Sequence, residues 1–191
     1  VGSEQPLVKA LSFSDTAVKY SAALAIGGAN PASDFVGSSL IIENLAKALT
    51  GAGKAELGTE LSDIYALRAV DVMYKLALTR NSVVDLTAAR DDLISVTRVL
   101  WPDMQVKAGM VLARLKSPDA QRAITDMALK DQNQLAVRKK AFNSLAVSAK
   151  QNANLLTDSQ IDSIYALISS DQTDAELRST AASAYGALNL P

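Results

Sequence analysis

Residues able to do chemistry are scarce in this chain, and two absences limit what the rest can do. There is no Cys and no His. Without thiolate or imidazole there can be no disulfide, no thiol nucleophile, no Cys- or His-ligated transition metal and no Ser-His-Asp triad. Acid–base work is left to Asp, Glu, Lys and Tyr. Asp91-Asp92 is a carboxylate pair, but adjacent helical residues point about 100° apart and cannot share a substrate. Thr50-Gly51-Ala52-Gly53-Lys54 has the Gly and Lys of a phosphate loop. A Walker A motif needs Gly-x4-Gly-Lys-Ser/Thr, whereas positions 48 and 55 are both Ala and no strand precedes. The segment reads as a helix C-cap and turn. Arg138-Lys139-Lys140 is a basic run that Arg122 and Lys130 could extend, but Asp119, Asp126 and Asp131 lie among them. No Asp-x-Asp-x-Asp-Gly loop offers Ca²⁺ its oxygens. No catalytic residue, cofactor or metal is expected, and the protein reads as a non-enzyme.

The elements that would hold such residues are helices. In 191 residues there are 32 Ala and 25 Leu against 9 Gly and 5 Pro, with 49% hydrophobic residues. Ala and Leu lose least on entering a helix. Net charge is −1, which argues against a broad phosphate-binding surface and so against a nucleic-acid partner. No apolar run is long enough to span a membrane. Opening Val1-Gly2-Ser3 without an initiator Met, the chain is expected to be a processed product or an excised segment of a longer protein. Its compartment is left open.

Self-comparison is the productive step. Four segments share a polar start, a Val or Leu followed by Lys or Arg, and small apolar residues a turn later. They are Asp15–Lys19, Asp103–Lys107, Gln134–Arg138 and Asp174–Arg178, anchored on Val18, Val106, Val137 and Leu177. The anchors are 88, 31 and 40 residues apart, and the longest gap holds one diverged pair, Leu57–Thr79 with Val83–Leu100. Second helices are expected at Ser38–Leu49, Asp119–Lys130 and Ser159–Ser169, from apolar periods near 3.6. Asp15, Asp103 and Asp174 sit where N-caps are wanted. Trp101 would pack a repeat junction, with Pro102 stopping one helix. The tyrosines 20, 65, 74, 165 and 185 are expected to anchor the core with hydroxyls at its rim.

The Asp-x-x-Val-Arg/Lys-x-x-Ala-Ala pattern resembles HEAT repeats, including the phycobilisome-lyase-type subset. It is clearest at 15–25, 103–113, 133–146 and 174–188. The resemblance implies an all-α, right-handed α-α superhelix, an armadillo-like solenoid of about four helix pairs plus flanking half-repeats, as one domain over 1–191. It also implies a ladder between repeats formed by Asp15 with Lys19, Asp103 with Lys107, Asp174 with Arg178, and Arg138, whose own acid is replaced by Gln134. Some HEAT-like proteins are DNA glycosylases, which makes Trp101 and Asp103 the weakest of three functional readings.

The favoured reading is a non-catalytic scaffold whose second helices line a concave surface facing another protein or another domain of the same parent chain. On helical phasing Glu43, Lys47, Arg122, Asp126 and Asp162 lie there, and their mixed signs suit a partner of mixed charge. The alternative is an architectural segment of a larger enzyme or regulator with its chemistry elsewhere. A solenoid exposes apolar ends where its stacking stops, which would favour end-to-end self-association.

Overall fold

The computed structural model describes residues 5–52, 57–99 and 101–190, and no strand occurs among them. The all-α expectation holds. Contacts gather the chain into two compact units, Val1–Val96 and Thr97–Pro191.

The first unit contains α1 (Pro6–Ala10), α2 (Thr16–Gly28), α3 (Ser39–Thr50) and α4 (Thr59–Leu78). A 3₁₀ turn at Leu86–Ala89 runs into α5 (Arg90–Thr97), which ends at the unit boundary. Helix α2 packs on α1, α3 and α4, while α3 also meets α4 and the 3₁₀ turn. Asp15 caps α2 by accepting from the Val18 N–H at 3.0 Å. The buried face of α3 carries Ile41, Ile42, Leu45 and Leu49, leaving Glu43 and Lys47 exposed. The five-residue α1 is opened by its own proline at the first turn.

The diverged 57–100 segment departs from two plain helices. Asn81 accepts from Val83 N and Val84 N, both at 2.9 Å, and Asp85 accepts from Thr87 N at 2.9 Å. These local side-chain bonds hold 81–85 out of the helix, so the second element begins as a 3₁₀ turn. Leu100 lies outside the described residues.

The second unit contains α6 (Pro102–Leu112), α7 (Pro118–Leu129), α8 (Leu135–Asn152), α9 (Asp158–Ser169) and α10 (Ala175–Ala187). Helices α6, α8 and α10 pack in sequence, α7 packs on α9, and α6–α7, α7–α8 and α9–α10 also touch. Phe142, Leu145, Ile124, Met104 and Leu112 are fully buried between them. At the start of α6 the expected roles are exchanged. Pro102 opens the helix and does not stop the previous one, Trp101 occupies the N-cap position with extended backbone, and exposed Asp103 sits in the first turn. A proline at the first helical position forfeits no hydrogen bond and forces the residue before it out of the helical region.

Small residues let the helices approach. Ala22, Ala23, Ala66, Ala69, Ala108, Ala120, Ala128 and Ala141 are buried at such contacts. A Cβ at Gly27 would sit 2.9 Å from Val72 Cγ1 and 3.3 Å from Ile41 Cγ2, whereas one at Gly109 would sit 2.7 Å from the Met127 methyl. Gly27→Ala is expected to cost about 1–2 kcal/mol net, because branched Val72 cannot swing aside. Gly109→Ala meets only the flexible end of a Met and is expected to be neutral or to gain up to about 1 kcal/mol of helix propensity. Urea unfolding of both variants beside the parent checks this; an equal loss in both would mean that backbone approach, not the facing side chain, sets the tolerance.

Candidate functional site

The positions predicted for a repeat ladder make a different contact in the second unit. Arg138 donates through Nε to Ala128 O at 2.9 Å and pairs through Nη1 with Asp131 at 2.8 Å, its side chain only 12% exposed. Arg178 reaches Ser170 O and Asp171, both at 3.5 Å. In each case the acid lies seven residues before the arginine, in the turn that follows the preceding helix. Gln134 therefore does not leave Arg138 without a partner. Asp174 is an N-cap, accepting from Glu176 N and Leu177 N at 3.0 Å, and is not the acid that Arg178 holds. Between acid and arginine, Asn133 donates to Met127 O at 2.8 Å and Thr173 to Leu167 O at 2.9 Å, each six residues back. The turns before α8 and α10 are thus one clasp built twice, forty residues apart. In the first unit Lys19 is half-buried with Ser12 seven residues before it, so this acid is missing; Lys107 is half-buried on α6, one turn beyond Asp103.

Two glutamines inside the second unit tie helices to neighbouring loops. Gln105, 1% exposed, donates to Thr97 O at 3.0 Å and to Asn133 Oδ1 at 3.1 Å. Gln121, wholly buried, donates to Ser148 Oγ and Ala153 O at 3.1 Å and accepts from Leu155 N at 2.7 Å. No buried side-chain polar atom among the described residues lacks a partner. Sequence reasoning missed both glutamines. Their signal is an uncharged polar residue within an apolar helical stripe, one residue after Met104 and Ala120.

The same loop engages two residues expected at a partner surface. Arg122, half-buried, donates from Nε to Leu155 O at 3.2 Å. Gln160 of α9 donates to Arg122 O at 3.1 Å and to Asp126 Oδ1 at 2.7 Å. Arg122 is therefore part of the seam joining α7 to α9, while Asp126 is exposed and serves the seam with one oxygen. Asp162 is exposed on α9, and Glu43 and Lys47 are exposed one turn apart on α3 in the first unit.

On its other side Asp126 borders a notch of about 60 Å³ lined by Thr97, Arg98, Ala123, Met127 and Lys130. Arg98 is exposed and Lys130 half-exposed. Apolar Ala123 and Met127 sit beside two cations and one carboxylate. Arg98 was not anticipated, because it lies past the end of α5 where helical phasing stops. A second, open groove between α8 and α10 is lined by Ala136, Lys139, Lys140, Asn143, Glu176 and Thr180. Across it Lys139 pairs with Glu176, whose hydrogen bond raises the ammonium above its ordinary value.

The remaining motifs are structural where they are described. Arg90 Nε pairs with Asp91 at 2.9 Å, at the start of α5. Thr50-Gly51 ends α3, and Gly53 and Lys54 lie outside the described residues. Tyr20 and Tyr65 meet edge to face at 5.6 Å in the first unit's core, with Tyr65 donating to Ala17 O at 3.2 Å. Tyr165 departs from the core-anchor expectation, being 59% exposed beside Tyr185 at a ring separation of 6.1 Å.

No protein-family model matches the chain, and no curated protein matches it. Among solved structures, a crystal structure of an engineered protein from the Northeast Structural Genomics Consortium aligns with 95% of this chain and 77% of its own. The TM-score is 0.50 at 18% sequence identity, a likeness of fold alone.

Gln121→Leu would take away the buried amide that pairs the part-buried Leu155 N–H and Ala153 carbonyl and would leave Ser148 Oγ beside a Leu. It is expected to lower unfolding free energy by about 1–3 kcal/mol. Lys150→Leu, at an exposed position of α8, should change it by less than about 0.5 kcal/mol. Urea midpoints at unchanged m-value test the pair; a Gln121→Leu protein as stable as the parent would remove the clamp from the account.

Proposed function

We propose that this chain is a non-catalytic interaction scaffold of HEAT type, a right-handed stack of helix pairs whose second helices α3, α7 and α9 face a protein partner. The observation supporting it most directly is the notch on α7. The Arg98 and Lys130 side chains make no hydrogen bond or ion pair among the described residues, and they flank an apolar floor beside Asp126. The interior polar groups are all engaged, so these charges are surplus to the fold and available to a partner. A partner side chain ending in a carboxylate would meet both cations while its stem covers Ala123 and Met127. Asp162 extends the same polar character onto α9, and Glu43 and Lys47 are exposed on α3 in the first unit. The packing order α6–α8–α10 beside α7–α9 is that expected of stacked pairs.

The test is capture of protein partners with the parent chain and with an Arg98→Glu, Lys130→Glu double variant as baits. The scaffold reading expects a discrete protein held by the parent and weakened about tenfold or more by the double variant, at an unchanged melting temperature. Arg122→Ala, by contrast, should lower stability, since its Nε holds the Leu155 carbonyl. A partner retained equally by both baits removes the notch from the interface. Capture lost on nuclease treatment would favour nucleic acid, and an empty capture the architectural-segment reading.

A further inference from the structure

Arg98 and Lys130, the two cations of the notch, are each rooted where a helix has just ended. Arg98 follows Thr97, the last residue of α5, and Lys130 is the C-cap of α7, with extended backbone at φ −69° and ψ 109°. Carbonyls at a helix end have no partner within the helix, and such ends fray unless donors from outside meet them. Two charged side chains rooted on frayed ends would have no fixed separation.

Both ends are held by one line of buried amides. Gln105 of α6 donates from Nε2 to Thr97 O at 3.0 Å and to Asn133 Oδ1 at 3.1 Å. Asn133 donates in turn from Nδ2 to Met127 O at 2.8 Å and from its backbone N–H to Lys130 O at 3.0 Å. Thr97, Gln105 and Asn133 are all buried, so water does not compete for these bonds. Because a peptide unit is planar, holding Thr97 O also holds the Arg98 nitrogen and the root of that side chain. Lys130 is held from both sides, since its N–H donates to Asp126 O at 3.0 Å. The turn itself does not require an amide. Forty residues on, Thr173 makes the same six-residue reach, to Leu167 O, with a hydroxyl. A carboxamide at 133 separates donor from acceptor, so Nδ2 holds Met127 while Oδ1 receives Gln105.

We propose that Gln105 and Asn133 are positioning residues of the notch, fixing the spacing of Arg98 and Lys130 and so deciding which carboxylate-ended side chains can meet both cations at once. This rests on the notch reading above. A ligand that bridges two charges gains most when their separation is preset, because ordering them at the moment of binding subtracts from affinity.

The chain has no Cys, so an introduced pair gives unique labelling sites. Nitroxides on Arg98→Cys and Lys130→Cys report the spacing by dipolar electron paramagnetic resonance, alone and combined with Gln105→Met or Gln121→Met. Met keeps the length of Gln and removes its donor, and Gln121 is the equivalent loss away from the notch. The parent and Gln121→Met backgrounds should give one narrow distance distribution, and Gln105→Met a broader or shifted one. Asn133→Thr, patterned on Thr173, takes its place if Gln105→Met does not fold by circular dichroism. An unchanged distribution in the folded variant overturns the proposal. So does equal broadening by Gln121→Met, which would mean a general loosening of the unit. With both cations present, N-acetylglutamate α-methylamide is the binding probe, followed by amide NMR shifts at Arg98 and Lys130. Gln105→Met should bind it about threefold or more weakly than the parent, and Gln121→Met should not. A parent whose notch amides ignore the probe sinks the notch reading and leaves the spacing result standing. Binding by the parent that Gln105→Met keeps in full sinks the positioning role alone.

Discussion

Among the described residues, several turns between packed helices present backbone donors and acceptors to protein instead of water, and buried amide side chains meet them. Asn44 of α3 donates to Leu11 O in the first unit at 2.9 Å. In the second, Gln105, Gln121 and Asn133 do the same for the chain on either side of α6–α9. An unsatisfied group in such a place costs about 1–3 kcal/mol, comparable to a large share of a domain's net stability. The apolar stripes bring the helices together, but these amides decide where along one another the helices come to rest.

A second consequence concerns the surface. Charged residues that serve the fold are distinguishable from those that do not. Arg138 is mostly buried and spends its guanidinium on a helix end and an acid, and Arg122 on a loop carbonyl. Arg98 and Lys130, close by, have no such employment. The division between engaged and free cations separates Arg98 and Lys130 at the notch on α7 from Arg122 and Arg138.

Much of the architecture was legible in the sequence. The second helices fell within a residue or two of their predicted bounds, because Ile and Leu at a 3.6 period leave little choice. Asp15 and Asp174 cap as expected, since a carboxylate just before an apolar helical run accepts from the free N–H groups of the first turn. What escaped were features decided across the fold. Pairing Asp174 with Arg178 on the HEAT resemblance missed that the acid is claimed by its own helix start. Asp131 and Asp171 lay in turns that the motif search did not align. Pro102 was read as a stop although its chemistry makes it a better start, and Tyr165 was placed in a core that α9 enters through Ile164. The surface residues were only as predictable as exposure itself: Glu43, Lys47 and Asp162 follow from phasing, whereas Arg122 does not.

The clasp before α8 and α10 also bears on how such a chain can change length over evolutionary time. Gln121 holds both Ala153 O and Leu155 N, and Asn133 and Thr173 each reach back six residues to a fixed carbonyl. Inserting a single residue into either kind of turn would pull a side chain off its mark, so drift by small insertions is suppressed there. Duplication of a whole forty-residue pair, acid, cap and arginine together, keeps every one of these distances. A chain built this way tolerates lengthening by whole pairs better than by single residues, and the turns at Asp131–Arg138 and Asp171–Arg178 keep acid, glutamine and arginine at the same spacing.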